Sequence, residues 1–463
     1  MNSRSVFLII FLLKIFSYIS PKKIIIPFKT KQYPFDPNDE FKFIFKNEIY
    51  TTLDIGNPPQ KVELFFTMRT PFFMIKYNNS FPEYFKNEST STYKYIDNAY
   101  YVNDEVLEKG MLSNEKFVFQ KSFDENDKTE INDFGFIYGT EYQRDSKRHM
   151  GVFGLQFKST SFYFSKEVNF VNELKKNKMI SFYIFNINYT SEDSGNIVFG
   201  EKPHYYNDNY NEDDMKQINI PTQFNQKLVW NLYFDNIQYG DKILNDYRTC
   251  KFAPQFGVIL APYTFLRYIT EVFFQKYLDN KKCEKKSYDN KYDYFVCDEN
   301  IDISEFKSIE FTMKELSTKN FVLTKDDLFL KKNGKMYFLV ANGYATKWSY
   351  CWHFGKPFMR KYNNFVFDQD GKQILYYDKQ DASTINNMLG SKTFIFLLWG
   401  GILILLIIIG FLSYFLYRLI KERKKKLYEL DDDFDYVAGG DKQEKKNDAV
   451  NFEGDSNENK FGI

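Results

Sequence analysis

Residues 49–75 read IYTTLDIGNPPQKVELFFTMRTPFFMI. The first half of this stretch contains two runs rich in β-forming residues, and the sequence Gly-Asn-Pro-Pro separates them at residues 56–59. Turn-forming residues between two such runs predict a β-hairpin. The prediction of the fold starts from this hairpin.

The hairpin resembles the amino lobe of a pepsin-like aspartic protease. The shared pattern is a Tyr, an Ile-Gly-x-Pro-Pro-Gln turn, an apolar strand and a Phe before a tight turn. In that family Asp-Thr-Gly-Ser follows this Phe, and the Asp is one of two catalytic carboxylates. Here the same positions hold Thr67, Met68, Arg69 and Thr70. The resemblance therefore implies the family's scaffold without its first catalytic carboxylate.

The second catalytic turn of the family has a counterpart in residues 250–262, which read CKFAPQFGVILAP. The resemblance places the second catalytic Asp at Ala253. The Thr and Gly that follow it in the family become Pro254 and Gln255. Both turns thus lack the carboxylate and also lack the Gly after it.

Several other segments extend the resemblance over about residues 50–377. Residues 151–155 (GVFGL) and 354–368 resemble the strands that thread the two catalytic loops, and residues 194–200 (SGNIVFG) match a further strand. The resemblance implies a mostly β, bilobal pepsin-like fold, with two β-barrel-like lobes around a cleft. We assign the lobes to residues 47–208 and 209–380.

The flap hairpin that closes over substrate in this family should lie within residues 89–119. Gly110 fits its last glycine, but the flap Tyr position falls on Val102 or Asn103, with Tyr101 only nearby. The other flap glycines are absent. A hairpin tip without glycine has little freedom at positive φ, which argues against a mobile flap that clamps substrate.

The two ends of the chain carry targeting signals. Residues 1–20 have a short apolar core typical of a secretory signal peptide, and residues 21–46 form a short pro-segment or a linker. Residues 393–417 contain no charged side chain and are long enough for a transmembrane helix. The basic residues that follow mark the cytoplasmic side. We therefore predict a single-pass type I membrane protein with a disordered cytoplasmic tail at residues 418–463.

The predicted lumenal or extracellular location agrees with three glycosylation sequons, at Asn78, Asn87 and Asn188. The membrane can be the cell surface or that of an endolysosomal compartment. The net charge of +1 gives no reason to expect nucleic acid as a partner. Aromatic residues make up 20 % of the chain, which we attribute to an AT-rich genome rather than to an adhesive surface.

The chain has four cysteines, and an even number in a secreted lobe predicts disulfides with three possible connectivities. The resemblance implies that Cys297 begins the carboxyl-lobe bridge and pairs with Cys351, which leaves Cys250 and Cys283 for a second bridge. A metal site is the weaker interpretation, because the chain has only three His and no Cys-x-x-Cys motif. No cofactor is predicted.

Three functional hypotheses remain for the domain. An aspartic protease needs two carboxylates that share one proton and activate a water, and neither Thr67 nor Ala253 can replace a carboxylate. The first hypothesis is an inactive homologue whose cleft binds a peptide or protein segment. The second is a residually active aspartic endopeptidase that uses other carboxylates. The third is a surface scaffold or adhesin in which the fold is only a platform.

Overall fold

The structure, a computed structural model, describes residues 22–31, 33–36, 38–76, 85–99, 109–141, 151–157, 168–220, 229–244, 247–316, 320–343, 351–363, 365–377, 409–410 and 412–423. The chain divides into two compact units, Met1–Asp381 and Ala382–Ile463. Each unit is described by itself below.

Strands dominate the first unit. Those before residue 220 are β1 (Ile24–Thr30), β2 (Ile49–Ile55), β3 (Gln60–Thr67), β4 (Phe73–Lys76), β5 (Lys94–Ala99), β6 (Lys109–Gln120), β7 (Lys128–Glu141), β8 (Gly151–Gly154), β9 (Ile184–Tyr189), β10 (Ser194–Phe199) and β11 (Met215–Asn219). Those after it are β12 (Asn231–Tyr233), β13 (Asn236–Tyr239), β14 (Lys242–Ile243), β15 (Thr249–Phe252), β16 (Ile259–Leu260), β17 (Cys283–Tyr288), β18 (Tyr292–Asp298), β19 (Ile309–Thr312), β20 (Asn320–Leu323), β21 (Phe329–Lys332), β22 (Lys335–Phe338), β23 (Val340–Ala341), β24 (Trp352–Phe354), β25 (Phe365–Asp368) and β26 (Gln373–Tyr377).

Helices in this unit are short and lie between the strands. The α-helices are α1 (Lys42–Phe45), α2 (Phe170–Lys176), α3 (Tyr263–Ile269), α4 (Gln275–Asp279), α5 (Lys325–Leu328) and α6 (Lys356–Lys361). A π-helical turn, Thr270–Phe274, joins α3 to α4. The 3₁₀ turns are Asn87–Ser89, Pro203–Tyr205, Glu212–Asp214 and Lys314–Leu316.

The predicted hairpin is formed by β2 and β3, which pair antiparallel from Tyr50↔Phe65 to Ile55↔Gln60. Alternate residues of β2 point into the core because side chains alternate between the two faces of a strand. Gly56 opens the turn at φ +92°, a conformation that only glycine adopts easily. The turn composition therefore predicted this element correctly.

The largest sheet joins strands from both ends of the first unit. It has 13 strands in the order β11-β26-β25-β9-β10-β1-β2-β3-β8-β4-β7-β6-β5. Smaller sheets of five strands (β12-β15-β24-β16-β23), four strands (β14-β13-β19-β20) and four strands (β17-β18-β22-β21) build the carboxyl-terminal half. The result is the mostly β, bilobal arrangement that the sequence predicts.

Residues 21–46, predicted to be a pro-segment or a linker, are part of the packed fold where the structure describes them. Strand β1 lies in the large sheet between β10 and β2. Helix α1 then packs on the carboxyl-terminal half, where Phe41 stacks on Tyr294 with ring centroids 3.7 Å apart. Glu40 forms ion pairs with Lys286 and Lys335. This segment therefore contacts both halves of the unit.

One disulfide is present among the described residues, and it joins Cys283 to Cys297. Both predicted pairings, Cys297 with Cys351 and Cys250 with Cys283, are therefore wrong. The reason is local: Cys283 and Cys297 are directly opposed in the β17–β18 hairpin, with Cα atoms 3.9 Å apart. Cys250 and Cys351 are buried free thiols.

The second unit is described only at residues 409–410 and 412–423, which are helical. Most of the predicted transmembrane segment, residues 393–417, lies outside the described residues. No helix among those described is both long and apolar enough to cross a bilayer.

Candidate functional site

The two turns predicted to carry the catalytic positions lie at equivalent points of the two halves. Thr67 is the last residue of β3, and Ala253 directly follows β15. Each strand pairs in parallel with a threading strand, β3 with β8 and β15 with β24. The local fold around the two positions is thus the same in both halves.

Each threading strand ends at, or is directly followed by, a glycine. This glycine fits inside the wide loop of the turn that the strand crosses. A Cβ on Gly154 would lie 2.4 Å from the carbonyl oxygen of Thr70, and one on Gly355 would lie 2.1 Å from that of Val258. Only glycine allows the two backbones to approach this closely. This packing explains the two Gly-containing signatures in the sequence.

Hydrogen bonds connect the two turns through Trp230. The backbone N–H of Leu155 donates to the carbonyl of Thr67 (2.8 Å), and the indole N–H of Trp230 donates to the carbonyl of Leu155 (2.6 Å). The N–H of Phe252, one residue before Ala253, donates to the carbonyl of Trp230 (3.3 Å). Trp230 is therefore a buried structural bridge between the halves.

Neither predicted catalytic position carries an acidic group. The hydroxyl oxygen of Thr67 accepts a hydrogen bond from the backbone N–H of Arg69 (3.1 Å), and no carboxylate among the described residues bonds to it. Ala253 is buried and belongs to an apolar cluster with Phe41 and Phe45. The two positions offer a hydroxyl and a methyl group, and neither can hold the shared proton that aspartic proteases use.

A row of polar side chains crosses the five-stranded sheet beside Ala253. The strand registers pair Asn231 with Lys251 and Lys251 with His353, so these three side chains lie on one face. Lys251 shares this face with Ala253, because residues two apart on an extended segment point the same way. We call Asn231, Lys251 and His353 the polar row.

The imidazole at the end of the polar row is neutral. Burial, with smaller effects of the nearby Lys251 and Arg69 cations, lowers the pKa of His353 to about 3. The Nε2 atom of His353 lies 3.1 Å from the Sγ atom of Cys351. Burial raises the pKa of the Cys351 thiol, so the thiol is protonated and can donate to the imidazole. This pair carries no net charge near neutral pH.

The sequence profile of the eukaryotic aspartyl protease family matches residues 48–376. The chain belongs to this family. The crystal structure of basic 7S globulin from soybean superposes with a TM-score of 0.54 and 13 % identity, covering 77 % of this chain and 95 % of that one. This likeness shows the pepsin-like fold alone. No curated protein matches the sequence significantly.

The amino-terminal segment of this family member lies along its second turn. Lys46 forms an antiparallel bridge with Phe256. The N–H of Asn47 donates to the carbonyl of Gln255 (3.1 Å), and the N–H of Gly257 donates to the carbonyl of Phe45 (2.8 Å). Backbone groups of the turn that face this edge are thus bonded to the chain itself.

A cavity of about 460 Å³ opens beside this segment. Its walls come from the amino-terminal segment, the β9–β10 turn, α5 and α6, and they carry charges of both signs. Lys356 and Asp193 form an ion pair across it (3.0 Å). Arg360 with Glu192 and Lys361 with Asp327 are further ion pairs among the residues that line it.

The remaining predicted site residues have separate outcomes. Val102, Asn103 and Asn78 lie outside the described residues, and the strands on either side of the first two, β5 and β6, pair antiparallel. Asn87 and Asn188 are partly exposed, and their glycosylation stays a prediction. Within the described ranges, no group of three or more His, Cys, Asp or Glu side chains could hold a metal ion.

Sequence reasoning missed the polar row. Its three residues come from strands far apart in the chain, so no spacing in the sequence brings them together. One signal was available: Lys251 alternates with Ala253, and a lysine next to a position that the family keeps acidic changes the charge of the site.

Proposed function

We propose that this protein is a membrane-anchored member of the aspartyl protease family that has no peptidase activity and binds a peptide or protein segment in its cleft. The observation that carries the proposal is the pair Thr67 and Ala253. They stand at the ends of two equivalent strands, each paired in parallel with its threading strand. A threonine hydroxyl is too weak an acid, and a methyl group holds no proton, so the water-activating pair cannot form.

The membrane part of the proposal is supported by the sequence. Residues 393–417 are uncharged, and the basic residues from Arg418 to Lys426 follow them. Such a segment suits a single-pass anchor with the basic side in the cytoplasm. The aspartyl protease domain then lies in the lumen of the secretory pathway, on the cell surface or in an endolysosomal compartment.

A second candidate function is a scaffold or adhesin without a cleft ligand. The contact of residues 45–47 with the second turn favours it, because the backbone donors and acceptors on that edge are occupied. An extended peptide needs such groups to add as a strand. The partly exposed Lys251 is then the member of the polar row that a peptide can contact.

The test is a peptide-library assay on the full-length protein in detergent micelles, at acid and neutral pH, with and without a pepstatin-type inhibitor. We expect saturable peptide binding and no inhibitor-sensitive cleavage. Inhibitor-sensitive cleavage would show a residually active endopeptidase and overturn the proposal. The absence of both cleavage and binding would favour the scaffold.

A further inference from the structure

The polar row combines a cation with a buried amide that has no partner. Asn231 has 0 % of its surface exposed. Neither the nitrogen nor the oxygen of its side-chain amide has a hydrogen-bond partner in the part of the chain described. Buried polar groups are hydrogen-bonded in nearly all proteins, so an amide left without a partner indicates that something is missing. A partner for this amide must offer a hydrogen-bond acceptor to its nitrogen and a hydrogen-bond donor to its oxygen.

Lys251, the neighbour of Asn231 in the row, supplies a positive charge. It is partly exposed and forms no ion pair with the described residues. Its other neighbour, His353, is neutral, so it neither repels nor neutralises the ammonium group. Arg69 on the opposite turn adds a second cation close enough to act on the same imidazole. Lys251 thus gives this site a positive charge where an active family member carries carboxylates.

The opposite face of the same strands is apolar. Leu232, Cys250 and Trp352 form the matching row there and belong to the main core. The polar residues are therefore confined to the face that also carries Ala253. Lys251, the partly exposed member of the row, is thus kept apart from the main core.

We propose that the polar row is a carboxylate-binding subsite for the peptide that occupies the cleft. The ammonium group of Lys251 pairs with one oxygen of the carboxylate, and the Asn231 amide N–H donates to the other. The Asn231 amide oxygen accepts an N–H of the same peptide. Charge-assisted hydrogen bonds of this kind are among the strongest that a protein makes. The lysine stem is flexible and can move aside to admit the ligand.

This inference rests on the proposed function, because it names the chemistry of the peptide that the cleft binds. The carboxylate has two possible sources, an Asp or Glu side chain and a free C-terminus. Both have the same chemistry at the subsite. The experiment must therefore separate them from each other and from loss of peptide binding altogether.

The probe is a set of matched hexapeptides with Glu, Gln or Lys at each position, made with either a free or an amidated C-terminus. Binding to the full-length protein in detergent micelles is measured at two salt concentrations. We expect at least tenfold tighter binding of the carboxylate-bearing member of a pair. A difference in binding between the Glu and Gln peptides shows that the carboxylate is a side chain. A difference between the free and the amidated C-terminus shows that it is the C-terminal carboxylate. The preference should weaken at high salt.

Two variants and one control test the assignment to Lys251. Lys251→Met should remove the preference for the carboxylate, and Lys251→Glu should turn it into a preference for Lys-bearing peptides. Lys242→Met, at an exposed position on β14, should leave it unchanged. The Glu variant gives a gain of binding, so a folding defect cannot produce the expected result.

The outcomes separate the two proposals. Equal binding of acidic and amide peptides, or an unchanged preference in Lys251→Met, overturns the carboxylate subsite and leaves peptide binding in place. If no peptide of any charge binds, the proposed function fails and the subsite fails with it.

Discussion

The imidazole of His353 is buried beside the thiol of Cys351, and its pKa of about 3 lies far below that of a histidine in an unfolded chain. Between pH 6.5 and about 3, the unfolded chain therefore binds a proton that the folded protein does not bind. Stability must then fall as the pH falls through this range. Each pKa unit of difference corresponds to about 1.4 kcal/mol.

We expect His353→Gln to flatten this loss, because glutamine does not titrate and can still accept a hydrogen bond from Cys351. The measurement is the free energy of unfolding in urea at several pH values between 4 and 8. The two proteins should show the same pH dependence between pH 7 and 8, which serves as the internal control. Parallel curves between pH 4 and 6.5 would show that the folded protein protonates His353 normally.

The threading strands depend on glycine at one position each. A Cβ on Gly355 would meet the carbonyl oxygens of Val258 and Phe256 at 2.1 and 2.4 Å, and backbone of this kind cannot move aside. We expect Gly355→Ala to lower the free energy of unfolding by more than about 4 kcal/mol or to prevent folding. Expression yield and urea unfolding measure the effect.

Gly334 provides a matched control for the Gly355 substitution. It has φ +72°, and nothing lies within 4 Å of its Cβ position. Asparagine tolerates this backbone conformation, so Gly334→Asn should change stability by less than about 1 kcal/mol. Similar effects of the two substitutions would contradict the close approach of the loop and the strand.

The amino-terminal segment is held on the carboxyl-terminal half by Phe41. This side chain has no exposed surface and stacks on Tyr294. We expect Phe41→Ala to destabilise the protein by about 3–5 kcal/mol, the usual cost of removing a buried aromatic ring. Phe35→Ala, at a position with 43 % exposure, should cost less than about 1 kcal/mol. Equal costs would mean that the segment is not anchored by its ring contacts.

The predicted membrane anchor determines where the whole molecule is found. A protein truncated after residue 380 lacks the uncharged segment, and we expect it to be secreted into the medium. The full-length protein should remain in the membrane fraction after a carbonate wash. Cell fractionation with an antibody against the aspartyl protease domain measures both. A full-length protein found mainly in the soluble fraction would contradict the predicted anchor.

Local patterns in the sequence predicted a large part of this fold. The β2–β3 hairpin follows from its turn residues, whereas the threading strand β8 was predicted from the resemblance to the family. The disulfide was mispredicted because its two cysteines are opposed only by the register of the β17–β18 hairpin, which cysteine spacing does not determine. The polar row could not be predicted for a similar reason, because Asn231, Lys251 and His353 meet only after three strands have paired.

The position of the amino-terminal segment has a consequence for synthesis on the ribosome. Strand β1 pairs with β10, and Glu40 pairs with Lys335, which lies 295 residues later in the chain. This segment therefore waits for partners that are made much later, first β10 and then Lys335. The amino lobe cannot complete its sheet as an independent early domain, and chaperones that shield exposed strands have a long interval in which to act on β1.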